Sequence, residues 1–480
     1  MLYLLSYIYL GLPLAIFFLT WLRAPYSLLL SAALIIPFYF FYKDFCKEKK
    51  ESLKILPIHF VLILITLAWI FFSGSGGFSF QNGDWIKHNA IFNDLIQLDW
   101  PVTYQLPDNT TVFLNYYLGW YMIPALAGKL YGLSGAFIVQ FIWTTLGVVL
   151  SLVWLSKLIK KPHRLLYVMF IFFATADSLG IILLRNVNLL NFITPLEHWS
   201  THEYSSFTTL LYWVPGQGIG IWIVMSILIN LYKEKRPQDL LIWIALLMFW
   251  SPLGVIGMSP FISYMAYRQV KGGLKVNREI YLKNMSAIII LFFFYLFFSA
   301  NIFASLYSKD FRGMWRADSV ITWGRFGVFL FSESLLPLLL IFLSRKYLDE
   351  TLKKFFYISI PILIFIPFFK YGLLNDLVMR GSIPALFVVF LCSATLLFSN
   401  KFRAQNKLLW LALAIYLIFG AITPITEINR SIQSEKNVGI PLTLPKIGDD
   451  LTVKQYIGKE DSFVAKNILS NEREYSRVSH

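Results

Sequence analysis

The chain has 480 residues, of which 57% are hydrophobic and only 14% are charged, whereas soluble domains are about 25% charged. This composition excludes a set of ordinary soluble domains and predicts a single membrane bundle. Basic residues outnumber acidic ones by 42 to 27, but they cluster in short connectors beside hydrophobic segments. That arrangement is the positive-inside pattern of membrane proteins, so the charge does not indicate binding of nucleic acid.

Apolar segments of membrane-spanning length recur from one end of the chain to the other. A helix needs about 20 apolar residues to cross a bilayer, because its backbone groups must be bonded within the segment. The pattern predicts an all-α polytopic integral membrane helical bundle of about 12-13 hydrophobic helices. The predicted segments are residues 2–22, 25–42, 53–72, 112–131, 134–158, 165–184, 207–232, 239–268, 284–304, 320–343, 354–370, 377–398 and 407–427.

Two of these segments depart from the simple pattern. Residues 239–268 are too long for one span and contain Ser-Pro steps at Pro252 and Pro260, so we expect a hairpin of two short helices. Residues 112–131 contain Pro124 and several glycines, which favour a piece of helix that does not cross the membrane fully.

Six basic connectors predict the orientation of the bundle, because cytoplasmic loops carry an excess of Lys and Arg. If all six connectors lie on one side, the chain must cross the membrane an even number of times between one connector and the next. Only the interval from 54 to 157 breaks this rule, since it holds three predicted segments. We therefore expect residues 112–131 to be re-entrant or tilted; the alternative is that residues 157–164 face outward. The connectors are residues 43–54, 157–164, 233–236, 268–283, 345–354 and 401–407.

On this topology the N-terminus is cytoplasmic, and the two longest loops, residues 73–111 and 185–206, lie on the outer face. Residues 1–427 form the transmembrane helical bundle, and residues 428–480 form an extracytoplasmic tail that is too short for an independent catalytic domain. The first apolar segment lacks a basic n-region and a small-residue cleavage site, so we expect it to be retained as a span.

The first outer loop carries a Gly/Ser-rich stretch followed by a helical pattern. Asp84, Lys87, His88 and Asp94 fall near one face of this helix, and bulky apolar residues fall on another, as expected of a helix at the membrane interface. Helix capping alone would explain Asp84. It does not explain why the other three polar residues share its face, so the loop is a candidate for chemistry.

The second outer loop concentrates histidine and glutamate. His198 and His202 are spaced i and i+4, so on a helix they would share one face and would bind a divalent metal together with a carboxylate such as Glu203. No Glu follows the first His, which excludes the zincin motif. Histidine is also common at membrane interfaces, and both interpretations stay open.

Ionisable residues within predicted spans are candidates for function, because an unpaired charge at the bilayer centre is costly. Asp177 and Arg325 lie toward the outer ends of their segments, and Glu333 lies deeper on the segment of Arg325. An Asp177 to Arg325 pair would serve either the structure or a substrate.

Arginines also lie on the outer side of the predicted bundle. Arg380 stands at the mouth of a late span, and Arg312 and Arg316 lie in an outer loop. A guanidinium binds a phosphate bidentately while its stem lies against an apolar wall, which suits an anionic lipid head group. The alternative is that these side chains snorkel as ordinary interfacial anchors.

This combination of an acidic outer loop, a helix after it and an Arg at a late span resembles the GT-C superfamily of polyprenyl-phosphate-sugar-dependent glycosyltransferases. Several stretches are similar to bacterial membrane proteins that are described as glycosyltransferase-like. They are residues 83–95, 116–126, 212–217, 250–260 and 375–384.

The resemblance implies a GT-C-like glycosyltransferase in the bacterial plasma membrane. Such an enzyme moves a sugar from a polyprenyl-phosphate-linked donor to a cell-envelope glycan or glycolipid on the outer face, with inversion. Asp84 would be the catalytic base, and His88, Asp94 or the histidine loop would assist.

The resemblance also implies which residues meet the substrate and which partners are needed. The reaction requires no cofactor and is compatible with a divalent Mg²⁺ or Mn²⁺ ion. The partners are the polyprenyl-phosphate sugar donor, the envelope glycan or lipid acceptor and membrane lipids, but no nucleic acid. The substrate-binding residues would be Lys87, Arg380, Arg316, Asp177 and Arg325.

Two other classes fit the same residues. A transporter or flippase of a lipid-linked saccharide would use Asp177, Arg325, Glu333 and the broken segment 239–268 along a translocation path. An envelope-assembly scaffold would depend on neither set of polar residues.

Overall fold

The structure is a computed structural model that describes residues 1–47, 57–106, 108–159, 164–184, 194–273, 277–302, 312–314, 319–372, 374–437, 442–447 and 453–470. Within these ranges it is an all-α polytopic bundle, and nine helical stretches are long and apolar enough to cross a membrane. The predicted fold class is therefore confirmed, and the protein is a multi-pass helical membrane protein.

The helices differ widely in length, and several end at a break rather than at a loop. In chain order they are α1 (Leu2–Trp21), α2 (Ala24–Lys47), α3 (Pro57–Phe71), α4 (Asp84–Gln97), α5 (Met122–Ile159), α6 (Arg164–Ile171), α7 (Asp177–Leu183), α8 (Phe207–Trp213), α9 (Pro215–Lys233), α10 (Leu240–Leu247), α11 (Pro252–Lys271), α12 (Arg278–Ser299), α13 (Val320–Phe329), α14 (Leu336–Ser344), α15 (Glu350–Phe365), α16 (Asp376–Gly381), α17 (Ile383–Leu397), α18 (Asn400–Gln405), α19 (Lys407–Gln433) and α20 (Phe463–Asn467). The strands are β1 (Thr103–Gln105), β2 (Thr111–Leu114), β3 (Arg312–Met314), β4 (Phe369–Tyr371) and β5 (Ile457–Lys459).

Two helical stretches form the centre of the bundle. Of the 18 most apolar consecutive residues of α9, 89% are buried. The corresponding share is 94% for α16 with α17, but only 28% for α19. Apart from a few polar side chains, both central stretches are apolar on every side, which is the pattern of a helix surrounded by protein. Gly216 and Gly220 in α9 allow Trp120 and Trp250 to approach the backbone closely.

The segment 112–131 does not form a membrane-spanning helix. Residues 111–114 are strand β2, and α5 begins at Met122 and changes direction at Gly132, where φ is 70° and ψ is −175°. The ten residues before this kink would extend about 15 Å, half of the hydrocarbon thickness. The expectation that this piece does not cross alone agrees with the structure, which leaves one long helix after Gly132.

The predicted hairpin at 239–268 is present, with one difference. Residues 248–251 separate α10 from α11, and the Ser251 hydroxyl accepts a hydrogen bond from the Gly254 amide at 3.2 Å. Both helices pack against α9. Pro260 lies inside α11, which has 20 residues, so the expectation of a second break and of two short helices was wrong.

Two other predicted spans contain breaks that the hydropathy pattern does not mark. In place of one helix over 165–184, α6 ends at Ile171 and α7 begins at Asp177, with non-helical residues between them. Across from this break, residues 330–335 form a π-helical turn that contains Glu333. Such π-turns are frequent at functional sites.

The basic connectors meet at one end of the bundle, here named the connector end. Lys157 pairs with Glu234 at 3.4 Å, and Arg236 pairs with Asp44 at 3.5 Å. The Tyr3 hydroxyl donates to Glu234 at 2.9 Å. The beginning of α1 and the connectors after α2, α5 and α9 therefore share this end.

The opposite end, here named the loop end, carries α4, a three-stranded sheet and the C-terminal tail. Strand β2 pairs antiparallel with β1 on one side and with β5 of the tail on the other. Trp85, Ile91 and Leu95 of α4 are at most 1% exposed. The helix predicted to lie at the interface is therefore packed inside protein, and the tail is part of the same unit as the first long loop.

The contact between α11 and α16 leads to a test of the packing. A Cβ atom at Gly257 would lie 2.0 Å from the carbonyl oxygen of Gly381. We expect Gly257→Ala to lower the thermal unfolding midpoint in detergent, because the two helices must separate, at a cost of roughly 1–3 kcal/mol.

The matched control is Gly327→Ala in α13, where no atom lies within 4 Å of the added Cβ. This control should leave the midpoint unchanged or raise it slightly, because Ala favours helix. Equal midpoints for the two variants would contradict the close contact at Gly257.

Candidate functional site

The carboxylate of Asp84 is engaged in an ion pair rather than in capping its helix. The Asn82 side chain accepts a hydrogen bond from the Asp84 amide at 3.1 Å, so Asn82 provides the side-chain contact at this helix start. The Asp84 carboxylate lies 3.1 Å from the Lys87 ammonium, and the two side chains are 29% and 14% exposed. Asp84 is thus partly exposed.

The guanidinium of Arg380 lies next to this pair although the two are almost 300 residues apart in the chain. Arg380 is only 7% exposed, and it interacts electrostatically with Asp376, Tyr117, Asp84 and Glu203. We name Asp84, Lys87, Glu203, Asp376 and Arg380 the charged cluster.

Arg380 is a buried charge that has no direct partner. Among the described residues no hydrogen bond or ion pair to its guanidinium occurs, and its Nε atom is buried and unbonded. A buried, unpaired charge is costly. Natural chains retain such a group where a ligand completes it, so Arg380 marks the cluster as a candidate ligand site.

The cluster sets the ionisation of Asp84. Burial raises the pKa of the Asp84 carboxyl. The nearby positive charges of Lys87 and Arg380 lower this pKa by more than burial raises it, so it lies below its usual value. Asp84 is therefore a carboxylate at neutral pH, beside two cations.

Tyr117 faces the charged cluster from the segment between β2 and α5. Its hydroxyl oxygen accepts a hydrogen bond from the Gln217 amide at 2.7 Å and another from the Tyr116 hydroxyl. The segment is held by the Gly119 amide, which donates to the carbonyl of Phe249 at 3.0 Å. Sequence reasoning missed Tyr117 because it stood inside an apolar run that was assigned to a span.

His88 lies beside the cluster with both ring nitrogens occupied. Nε2 lies 2.7 Å from the carbonyl oxygen of Trp213, which can only accept, so this nitrogen carries the proton. Nδ1 then accepts from the Tyr121 hydroxyl. Burial and the charge of Lys87 lower the pKa of His88 to about 3, so the ring is neutral and holds neighbouring elements in place.

Asp94 is directed away from the cluster, toward the tail. Its carboxylate accepts hydrogen bonds from the Tyr104 hydroxyl and the Leu444 amide, both at 2.8 Å. Ten residues of helix, about 15 Å, separate it from Asp84. The structure therefore gives Asp94 a role in joining α4 to the sheet and the tail, and does not bring it to Asp84.

The three predicted metal ligands do not converge. Residues 196–199 form a 3₁₀ turn that ends before His202, so the expected i, i+4 face is absent. His198 is exposed against the ring of Trp213, whereas the His202 Nε2 lies 3.0 Å from the carbonyl oxygen of Pro367. Among the described residues no group of three His, Cys, Asp or Glu side chains is arranged to hold a metal.

Asp177 is paired with Glu333 rather than with Arg325, so the expected Asp177 to Arg325 pair was wrong. The Trp199 indole N–H lies 3.0 Å from Asp177 Oδ1 and 3.2 Å from Glu333 Oε1. Thr423 donates to the other oxygen of Asp177 at 2.8 Å. The two acids are buried, and Arg325 is exposed on α13.

The structure describes the side chain of neither Arg312 nor Arg316. Arg316 lies outside the described residues, and the side chain of Arg312 does as well.

A second polar group that sequence reasoning missed lies beside the cluster on α19. Glu427 accepts hydrogen bonds from the Trp213 indole at 3.0 Å and from Arg430 at 2.5 Å. Because the Trp213 carbonyl also binds His88, this group connects α19 to α4. The signal available in the sequence was a Glu three residues before an Arg near the end of an apolar helix.

The fold and this cluster define a multi-pass helical membrane protein with a polar candidate site at one end of its bundle. Comparison with known proteins adds no relative: no family model matches the chain, and no curated protein or solved structure is significantly similar to it.

Asp94 provides a prediction about stability and pH. Burial raises the pKa of its carboxyl to about 7, whereas an unfolded Asp titrates near about 3.9. The folded protein therefore binds this proton more tightly than the unfolded chain, and the stability it contributes is present at low pH and lost as the pH rises through about 7.

We expect the thermal unfolding midpoint to fall between about pH 4 and about pH 7 and to level off above that range, and Asp94→Asn to flatten this dependence. The control is Asp461→Asn, which changes an exposed carboxyl of the same tail. An Asp94→Asn protein with the wild-type dependence would show that other groups cause it.

Proposed function

We propose that this protein is a bacterial plasma-membrane glycosyltransferase of the GT-C type. It would move a sugar from a polyprenyl-phosphate-linked donor to a cell-envelope glycan or glycolipid. The observation that carries the proposal is the buried, unpaired guanidinium of Arg380 next to the ionised and partly exposed Asp84. Transfer of a sugar with a phosphate as the leaving group requires both a cation that binds the phosphate and a base for the acceptor hydroxyl.

In the proposed reaction, cations stabilise the leaving phosphate and a carboxylate accepts the proton of the acceptor. Arg380, with Lys87, binds the phosphate of the donor and stabilises the negative charge that it gains on leaving. Asp84 accepts the proton of the acceptor hydroxyl while its oxygen bonds to the anomeric carbon. The bond between that carbon and the phosphate oxygen breaks on the opposite face, so the sugar is inverted. Metal is not needed for this balance.

The proposed orientation has the loop end on the outer face of the membrane. It is supported by the ion pairs that bring the connectors at Lys157, Arg236 and Asp44 to the other end. Basic connectors favour the cytoplasmic side. The beginning of α1 is at the connector end, which supports a cytoplasmic N-terminus.

A second candidate function is transport or flipping of a lipid-linked saccharide. The observation that favours it is the buried Asp177 and Glu333 pair, which lies where α6 breaks from α7 and faces a π-turn. Broken helices with polar groups occur at the binding sites of transporters. Glu333→Gln should abolish flipping of a labelled lipid-linked saccharide in liposomes if this function is correct, and should leave glycosyl transfer intact if it is not.

Asp84 is the proposed base of the transferase. We expect Asp84→Asn to reduce transfer from a radiolabelled polyprenyl-phosphate sugar by at least about 100-fold, because the amide cannot accept the proton. The unfolding midpoint should change little, since the side chain keeps its shape. Purified protein, a panel of donors and an envelope-glycan acceptor are required.

Asp461→Asn serves as the matched control for this assay, because Asp461 is an exposed carboxyl at the same end. Transfer at the wild-type rate by the Asp84→Asn protein would exclude Asp84 as the base. Folded wild-type protein that transfers from no donor would exclude the transferase function.

The pH dependence of transfer separates Asp84 from Asp94 as the base. A base must be deprotonated, and Lys87 and Arg380 hold the pKa of Asp84 below its usual range. Transfer should therefore stay nearly constant from about pH 7 to about pH 5. Burial raises the pKa of Asp94 to about 7, so a loss of rate through this window would instead indicate Asp94.

A further inference from the structure

The hydroxyl of Tyr117 has its two acceptor positions filled. A tyrosine hydroxyl can donate one hydrogen bond, and its oxygen can accept up to two. The Gln217 amide donates to it at 2.7 Å, and the Tyr116 hydroxyl also donates to it. The Tyr117 oxygen is therefore saturated, and only its own proton is left to make a bond.

That proton has no acceptor among the described residues. Tyr117 is half-buried, and it interacts electrostatically with Asp376, Arg380 and Asp84 without a hydrogen bond to any of them. The two bonds to its oxygen restrict the direction of the remaining O–H to the side away from Gln217 and Tyr116. The charges that act on this hydroxyl are those of the charged cluster.

Two other donors, one directly before α16 and one within it, are also unpaired. The Nδ2 group of Asn375 is buried without a partner, and so is Nε of Arg380. A guanidinium offers five N–H donors and no acceptor. The unsatisfied groups of Tyr117, Asn375 and Arg380 are thus all donors, which matches a ligand that is rich in acceptor oxygens.

The carboxylates of the cluster further restrict the class of ligand that fits. Lys87 neutralises Asp84 at 3.1 Å, whereas Asp376 and Glu203 add negative charge near Arg380. These two groups offset part of the attraction between Arg380 and an anion. A phosphate ester of a sugar suits the cluster, because its phosphoryl oxygens accept from the three donors and the sugar hydroxyls donate to the carboxylates.

We propose that the Tyr117 hydroxyl donates a hydrogen bond to a phosphoryl oxygen of the ligand that Arg380 binds, and that Gln217 sets the direction of this donor. The proposal rests on the proposed function for the lipid nature of the phosphate. It adds the residue that recognises the phosphoryl oxygen beside the guanidinium and the residue that positions it. Tyr117 contacts the ligand, whereas Gln217 acts through Tyr117.

The test uses two variants that act on the same proton in different ways. Tyr117→Phe removes the hydroxyl. Gln217→Glu keeps the size of the side chain but replaces a donor by an acceptor, so that Tyr117 turns its proton toward residue 217. Both should weaken binding of geranyl phosphate to the purified protein by roughly tenfold, as loss of a hydrogen bond to a charged group does.

Further variants separate this role from a structural one. Gln217→Met removes the contact without capturing the Tyr117 proton, so it should weaken binding less than Gln217→Glu does. Simple loss of packing predicts the reverse order, since Glu has nearly the shape of Gln. Tyr264→Phe is the matched control, because its hydroxyl also pairs with a tyrosine, Tyr232, at 3.4 Å, but on the side of the bundle remote from the cluster.

Isothermal titration with geranyl phosphate, geraniol and inorganic phosphate gives distinct outcomes. The inference is supported if geranyl phosphate binding falls in Tyr117→Phe and Gln217→Glu, is lost in Arg380→Gln and is unchanged in Tyr264→Phe. It is overturned, while the proposed function stands, if only Arg380→Gln affects binding. If geraniol binds as tightly as geranyl phosphate, both proposals are overturned. If inorganic phosphate binds as tightly as geranyl phosphate, the proposal that the donor is a lipid is overturned, but the Tyr117 contact with the phosphate is retained.

Discussion

A polar group buried in an apolar bundle must find a partner, and this requirement organises the loop end of the protein. His88 uses both ring nitrogens, and Asp94 binds a hydroxyl and an amide. Asp177 shares an indole N–H with a second acid. Each of these groups has a partner within the chain and stabilises its packing. Arg380 is not satisfied, and the contrast with its neighbours is the reason to place a ligand there.

The charged cluster depends on close contacts between backbones that are distant in the chain. Asp84 comes from α4, Tyr117 from the turn before α5, and Arg380 from α16. The last of these helices rests on α11 where Gly257 and Gly381 leave no room for a side chain. Because each group stands on or beside a buried element, the cluster is held by the same packing that forms the centre of the bundle.

The C-terminal tail belongs to this arrangement and is not an appendage. Strand β5 completes the sheet with β1 and β2, and the Leu444 amide binds Asp94 at 2.8 Å. The ring of Tyr456 lies 5.0 Å from that of Tyr116, next to the hydroxyl pair at Tyr117. The tail therefore supports both the helix that carries Asp84 and the segment that carries Tyr117.

The sequence by itself determined the membrane bundle, the hairpin break at Pro252 and the shared end of the connectors, because hydropathy, proline and charge act locally. It also selected Asp84 and Arg380 from their chemistry. Only the tertiary structure decided that Asp177 meets Glu333, that α4 is buried and that Tyr117 faces the cluster. The physical reason is that the partner of a polar side chain depends on which helices pack together, and spacing along the chain does not encode that choice.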